Sequence, residues 1–255
     1  MKVRSSMLKR LGAVALAAVL TAGILVPPVQ QASAATTTKK YAVEKVSYSK
    51  NYKLDDGTTY FSVKGKFPTI KDDSEAAEKI NTALTKEKNR LVKSWKTQAQ
   101  EYKTEYAGMI NEGEKPDWTN ADEITYKVTA NNDKYFSVMF SGYLYTGGAH
   151  GTPYRRCLTF DAKTGAKLTA AKVFGISKAK MNQKVTKLYV ARYNKHKEND
   201  FFFAEDAKSF KKSVAALDFS HSFYVNNKGK AVFYVDPYIL SPYAAGFIQV
   251  SATIK

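Results

Sequence analysis

The chain holds three histidines, His150, His196 and His221, and a single cysteine, Cys157. An imidazole can act as a general base or a metal ligand. A catalytic metal needs three well-placed protein ligands. The histidines stand in separate segments without ligand spacing, so neither a metal centre nor a cofactor is expected. No Gly-x-Ser-x-Gly elbow occurs, and no Walker-type or dinucleotide glycine loop opens a helix. One cysteine excludes an internal disulfide. Cys157 is expected to be a small buried side chain rather than a nucleophile, and no catalytic residue is assigned.

His150 stands out by its surroundings. It lies in Tyr143-Leu-Tyr-Thr-Gly-Gly-Ala-His-Gly-Thr-Pro-Tyr154, among Gly147, Gly148 and Gly151. Glycine permits positive φ and close approach of another backbone or a ligand. The stretch therefore demands a specific backbone path, with an apolar strand entering from Tyr135 and another leaving at Tyr154. The candidate ligand-binding residues are Tyr145, Thr146, Gly147, Gly148, His150, Gly151, Tyr154 and Arg155. Three roles stay open for His150: a buried imidazole bonded to backbone that locks the turn, a ligand contact, or catalysis.

The elements that must hold this stretch follow from periodicity. Tyr41 to Lys50 reads as a strand, Asp56-Gly57 as a type I′ hairpin turn, and Phe61, Val63, Gly65 and Phe67 as the buried face of a second strand ending at Pro68. Asp72 and Glu75 have capping-box spacing. Ile80, Leu84, Leu91, Trp95 and Tyr102 then form one helical stripe, expected to run to about Tyr106 and cover a sheet. Strands follow at Ile124 to Ala130 and Tyr135 to Tyr145, and Leu158 and Phe160 continue beyond the glycines. Ser177 opens a second helix, to about Lys195. Phe201-Phe202-Phe203 is expected as a packing plug, and a short helix is expected over Asp206 to Val214. Strands at Phe219 to Val225, Ala231 to Val235 and Phe247 to Ile254 close the chain. Between the last two, Asp236 is expected to cap a turn and Tyr238 to pack. Strands, helix, strands, then helix and strands imply α+β: two consecutive small domains with antiparallel sheets, each covered by a long helix. The boundaries drawn are 41–152 and 153–255.

Residues 1–34 read as a signal peptide. Lys2, Arg4, Lys9 and Arg10 precede an uncharged run from Leu11 to Val26, and Ala32-Ser33-Ala34 is a small-x-small cleavage signal. As a helix the run would rise about 24 Å, short of a hydrocarbon core of about 30 Å. The processed chain is expected to be secreted, possibly wall-associated, with no membrane span. The formal net charge is +17, and removing the leader's four basic residues leaves +13. A charge of that size steers a protein toward polyanions. For an exported chain these would be wall polymers rather than nucleic acid.

Tyr145-Thr-Gly-Gly-Ala-His-Gly151, Phe160-Asp161-x-x-Thr-Gly165 and a Leu168-to-Phe174 segment carry a resemblance, as do Phe233-Tyr-Val-Asp-Pro-Tyr238 and Ser241-Pro-Tyr-Ala-Ala-Gly246. Together they resemble the extracytoplasmic region shared by RsiV-type anti-sigma factors and the non-catalytic N-terminal part of PdaC-type peptidoglycan deacetylases. The resemblance covers roughly Tyr41 to Lys255 and implies two consecutive small domains. It also implies peptidoglycan as ligand, or a lysozyme as in RsiV-type sensors. RsiV-type proteins hold a sigma factor through a cytoplasmic segment. Here ten residues precede the apolar run, so sigma-factor inhibition is not expected. Thr159-Phe160-Asp161 resembles the start of the deacetylase metal motif Thr-Phe-Asp-Asp, but Ala162 follows, so deacetylation is not expected either.

The function expected is non-enzymatic binding of peptidoglycan or an anionic wall polymer such as teichoic acid. Lysozyme sensing, another envelope protein as partner, and a glycan-modifying enzyme are the alternatives. Many animal lysozymes are strongly basic and would be repelled within the roughly 10 Å over which charge acts at 0.1 M salt.

Overall fold

The computed structural model describes residues 40–114 and 116–254, and the expected leader lies outside them. Two consecutive α+β domains are built on a five-stranded and a three-stranded sheet. The first sheet is ordered β1 (Ala42–Lys53), β2 (Thr59–Lys71), β3 (Asn120–Asn131), β4 (Tyr135–Tyr145) and β5 (Thr152–Asp161). Its fifth strand thus begins at residue 152.

β1 and β2 form a hairpin, but the turn is not type I′. Gly57 donates to the Leu54 carbonyl at 3.0 Å and Leu54 donates to that of Thr58 at 2.9 Å. Only Gly57 has positive φ. That is the three-residue loop in which a type I turn is followed by a left-handed glycine. β2 also runs through Pro68, which pairs with Lys45 of β1. β2 meets β3 only over Phe61 to Gly65. Pro68 therefore lies where β2 has a single neighbour, and its missing N–H costs the ladder little.

Helix α1 (Glu75–Asn111) links β2 to β3. Its N-cap is Ser74, whose hydroxyl accepts from Ala77 N. Asp72 instead accepts from Ser74 N at 3.0 Å, bending the chain just before the helix. The apolar stripe is buried as expected, with Ile80, Leu84, Leu91 and Trp95 at 4% exposure or less. The helix is a crossover, so β2 and β3 pair in parallel. Every other pairing is antiparallel. A long connection can return a strand in the same direction, which a tight hairpin cannot.

The second domain starts with α2 (Ala170–Phe174) and α3 (Lys178–Asp200), the latter capped by Ser177 and interrupted by non-helical backbone at His196. Next come α4 (Ala207–Ala215), β6 (Phe223–Val225), β7 (Lys230–Val235) and β8 (Ile248–Thr253). Met181, Val185 and Tyr189 of α3 and Phe210 and Val214 of α4 pack on Phe223, Phe233 and Ile248. Only the middle residue of the phenylalanine triplet is a plug. Phe202 packs between Tyr193 and Phe210, while Phe201 and Phe203 are 65% and 56% exposed.

Successive side chains of a strand point to opposite faces. In β4, Phe136, Val138 and Phe140 join the α1 core. Ser137 lies between them in sequence and faces the second domain. Its hydroxyl accepts from Val225 N at 3.1 Å and is 2.9 Å from the Thr159 hydroxyl. The second domain thus lies across the back of β4 and β5. This brings its loop 236–246 to the end of β4.

Candidate functional site

The glycine stretch is the loop joining β4 to β5. Gly147 and Gly148 have φ of 91° and 80°. A Cβ on Gly147 would stand 3.0 Å from the Trp118 indole, so both conformation and space require glycine there. Gly151 needs to be small for another reason: its Cβ would meet the Leu144 carbonyl at 2.5 Å. Tyr145 donates to the Gly148 carbonyl across the loop at 3.1 Å.

This frame holds His150 out to solvent rather than buried. The structural role is nonetheless present. Nδ1 lies 3.1 Å from the Gly151 carbonyl. A carbonyl can only accept, so Nδ1 carries a proton, and in the neutral imidazole Nε2 is left as acceptor. Tyr238 Oη is 3.5 Å from Nε2. The imidazole stacks on Tyr243, with centroids 3.9 Å apart and planes at 17°. The neighbouring Tyr143 phenol is the main cause that raises the Tyr243 pKa. Tyr143 in turn accepts from Gly151 N at 2.7 Å.

The first domain therefore contributes Tyr143 and His150, and the second contributes Tyr238 and Tyr243. Tyr238 packs less than expected: it is 51% exposed, and Tyr143 is 42% exposed. Tyr238 also has φ of 67°. A non-glycine residue held in the left-handed region is strained and persists only where its surroundings enforce it. Here its N–H is fixed to the Ser241 carbonyl at 2.9 Å. The result is a preset, half-exposed group of three phenols and an imidazole. The group facing Nε2 is a phenol, whose flat apolar face and polar tip make an amphipathic contact surface.

Tyr154 and Arg155 are not brought to His150. Tyr154 turns toward α1 and donates to Asp122 Oδ1 at 2.9 Å, and Trp95 Nε1 donates to Oδ2 of the same carboxylate at 2.6 Å. Burial pushes the Asp122 carboxyl above its ordinary pKa despite these two donors. An acid with a raised folded-state value adds stability at low pH that is lost as pH rises through that value. Asp122→Asn is therefore expected to gain on the parent protein as pH rises from the carboxylate range to neutrality. Asp122→Ala leaves two buried donors unpartnered and should lose about 2–3 kcal/mol where the carboxyl is protonated, and less as pH rises through its folded-state value. Urea unfolding as a function of pH checks both.

Arg155 points to the opposite face, its guanidinium 3.8 Å from the Phe247 ring centroid. It lines a crevice of about 300 Å³ between the domains, with Arg156, Lys167, His221, Glu87 and Asp236. Asp236 does not cap the turn through its side chain. Its Oδ1 is buried without a partner, and burial raises its pKa against the pull of Arg155. Burial also lowers the pKa of His221, helped by Lys167. Burial acts to raise the Glu87 carboxyl, but Arg90 and Arg156 outweigh it and hold the group below its ordinary value. Cys157 is buried as expected, its thiol pushed up to about 12 by that burial.

Asp161, the acid of the partial metal motif, is occupied locally. Its Oδ1 accepts from Lys163 N, Thr164 N and the Thr164 hydroxyl at 2.8–3.0 Å, capping the turn into Gly165. Among the described residues, no three His, Cys, Asp or Glu side chains gather as a metal site. No described helix is long and apolar enough to cross a membrane.

This arrangement defines a two-domain α+β protein whose partly exposed aromatic site is shared between a glycine-framed hairpin and a loop of the following domain. Residues 54–152 match the family described as Deacetylase PdaC, and residues 172–254 match a protein family of unknown function, DUF3298. The chain is thus similar in turn to a PdaC-like region and to a DUF3298 region, the extracytoplasmic, envelope-related pair that its motifs resemble. A DUF3298-family crystal structure from Bacteroides fragilis superposes with TM-score 0.59 at 17% identity, covering 85% of this chain and 92% of that one. Another, from Pseudomonas aeruginosa, gives 0.51 at 15% identity over 84% and 90%. At these identities the likeness is one of fold. No curated protein matches the sequence.

Proposed function

We propose that this protein is an exported, non-enzymatic binding protein of the cell envelope that recognises wall material, peptidoglycan or an anionic wall polymer. The observation that carries the reading is the cluster of Tyr143, His150, Tyr238 and Tyr243. Sugar rings present apolar C–H faces edged by hydroxyls. Tyrosine offers the complement, a flat apolar face with a polar tip. The glycine frame and the strained Tyr238 backbone hold the rings before any ligand arrives, which lowers the ordering cost of binding. The net charge, +17 for the full chain and +13 without the leader, favours a wall rich in anions.

Pull-down on purified walls, with and without teichoic acid, tests the reading. The exported protein should sediment with walls. His150→Ala and Tyr243→Ala should each weaken binding about tenfold, in keeping with roughly 1.4 kcal/mol for one stacked aromatic. Melting temperatures of both variants should stay close to the parent value, since His150 is exposed and Tyr243 half-buried, and neither belongs to a hydrophobic core. Equal, negligible binding to both wall preparations would end the proposal. Acetate release from acetylated muropeptides that depends on His150 would replace it with an enzyme.

A further inference from the structure

We propose a second binding site, in the groove between α3 and α4, for an extended phosphate-bearing polyanion. Residues 178–196 of α3 carry Lys178, Lys180, Lys184, Lys187, Arg192 and Lys195, and α4 adds Lys208, Lys211 and Lys212. Neither stretch contains an aspartate or glutamate. Some of this charge is used internally. Lys178 pairs with Asp218 at 2.8 Å, Arg192 donates to the Gln249 carbonyl at 2.9 Å, and Lys184 lies over the Phe174 ring. Lys180, Lys187, Lys208, Lys211 and Lys212 are exposed, and none pairs with a described carboxylate.

Folding alone does not ask for this pattern. The first turn of a helix favours acidic side chains, because its free N–H groups carry partial positive charge. The first turn of α3 contains none and holds lysines instead, whereas α4 has the Asp206 carboxylate at its N-cap. At α3, an arrangement unfavourable to the isolated helix becomes favourable when an anion lies beside its N-terminus.

The space between the helices has the shape for a chain. It is about 700 Å³ and is lined by Val190, Ala191 and Ala215 together with Thr186, Lys187 and Lys211. From Asn182 to Asn194, both of which line it, the groove follows α3 for about 18 Å. Lys180 and Lys187 share one stripe of α3 about 10 Å apart, and Lys208 precedes Lys211 by one turn of α4.

The residue type admits phosphate. Lysine binds phosphate as a compact point charge, while the arginine fork serves carboxylate and phosphate alike, so the comparison with polyglutamate decides between the two anions. The helices' one arginine is engaged with Gln249. A membrane fits less well. The exposed rings that could enter it, Phe201 and Phe203, lie two to five positions before Glu205 and Asp206, which would be carried with them onto an anionic bilayer.

The test uses the exported protein and long-chain inorganic polyphosphate, with polyglutamate and anionic lipid vesicles in parallel. Polyphosphate should bind, and a tenfold rise in salt should weaken it on the order of a hundredfold, as counterion release by about three lysines requires. The variant K180Q/K187Q/K211Q should lose tenfold or more. K86Q/K93Q/K96Q on α1 removes the same charge elsewhere and should lose less than threefold. Both sets are exposed, and unchanged circular dichroism should confirm that the fold is kept. Equal losses in the two variants would reduce the effect to net charge and overturn the site. So would absence of polyphosphate binding, equal binding of polyglutamate, or binding to vesicles alone. The α3–α4 variant should still bind peptidoglycan stripped of anionic polymer, so this site and the aromatic cluster stand or fall separately.

Discussion

Trp95→Ala is expected to destabilise the protein by about 5 kcal/mol. The side chain is 1% exposed and stacks on Tyr48 with centroids 5.7 Å apart. It also lies against Phe67 and beneath Gly65, where an added Cβ would stand 3.0 Å from the indole. Removing a buried tryptophan costs about 3–5 kcal/mol through lost transfer energy and the cavity left behind. The loss of its N–H adds about 1–3 kcal/mol, because the buried Asp122 carboxylate loses one of its donors. For a chain of this size, each kcal/mol lowers the melting temperature by roughly 2–4 °C. A fall of about 10–20 °C should follow. Trp95→Phe keeps the ring contacts and loses the N–H, so it should show only the smaller part. A Trp95→Ala protein melting within a few degrees of the parent would show that α1 is not anchored through this residue.

The stripe that contains Trp95 was legible because helical spacing reports which residues share a face. Glu87 sits on the same stripe between Leu84 and Leu91 and is 8% exposed. A pattern of apolar residues passes over a charge. Its burial depends on Arg156, 69 positions away, whose Nε is 2.5 Å from Glu87 Oε1. The parallel β2–β3 pairing was hidden for a related reason. Alternation in Phe61 to Phe67 says which face is buried, not which strand lies alongside or in which direction. Pro68 read as a terminator because proline lacks a donor, and only the sheet order shows that no neighbour waits for one there.

The site was half legible. Gly147, Gly148 and Gly151 announced a constrained path, and each glycine does meet positive φ or a close neighbour. What faces His150 was not legible. Tyr238 and Tyr243 lie about ninety positions away in another domain, and no local pattern reports such a contact. One signal was available: tyrosines in a segment broken by Pro237, Pro242 and Gly246 cannot all be buried in regular structure. Aromatic residues on connections of that kind are candidates for contact surfaces. Tyr154 and Arg155 were grouped with the glycines by proximity in sequence. Adjacent positions on a strand face opposite ways, and these two serve two different interfaces.

Gly142→Ala is expected to cost about 3–4 kcal/mol, although position 142 lies in a strand where alanine is ordinarily tolerated. Gly142 pairs with Tyr154 across β4 and β5. The phenol ring lies over the glycine so closely that an added Cβ would stand 2.1 Å from its Cζ and 2.5 Å from each Cε. One methyl group therefore displaces the whole ring. Overpacking of this kind costs about 1–3 kcal/mol. The displaced ring also withdraws its hydroxyl from Asp122, losing a further 1–3 kcal/mol or so at a buried carboxylate. The mechanism makes a sharper claim than the magnitude. If the cost of Gly142→Ala is the loss of Tyr154 from its place, then Tyr154→Ala already contains most of it. The double variant should then be little less stable than Tyr154→Ala alone, a coupling of about 2 kcal/mol or more in a double-mutant cycle. Additive losses in urea unfolding would mean that the ring and the glycine act independently, and that the packing of Tyr154 on Gly142 is not what holds the hydroxyl on Asp122.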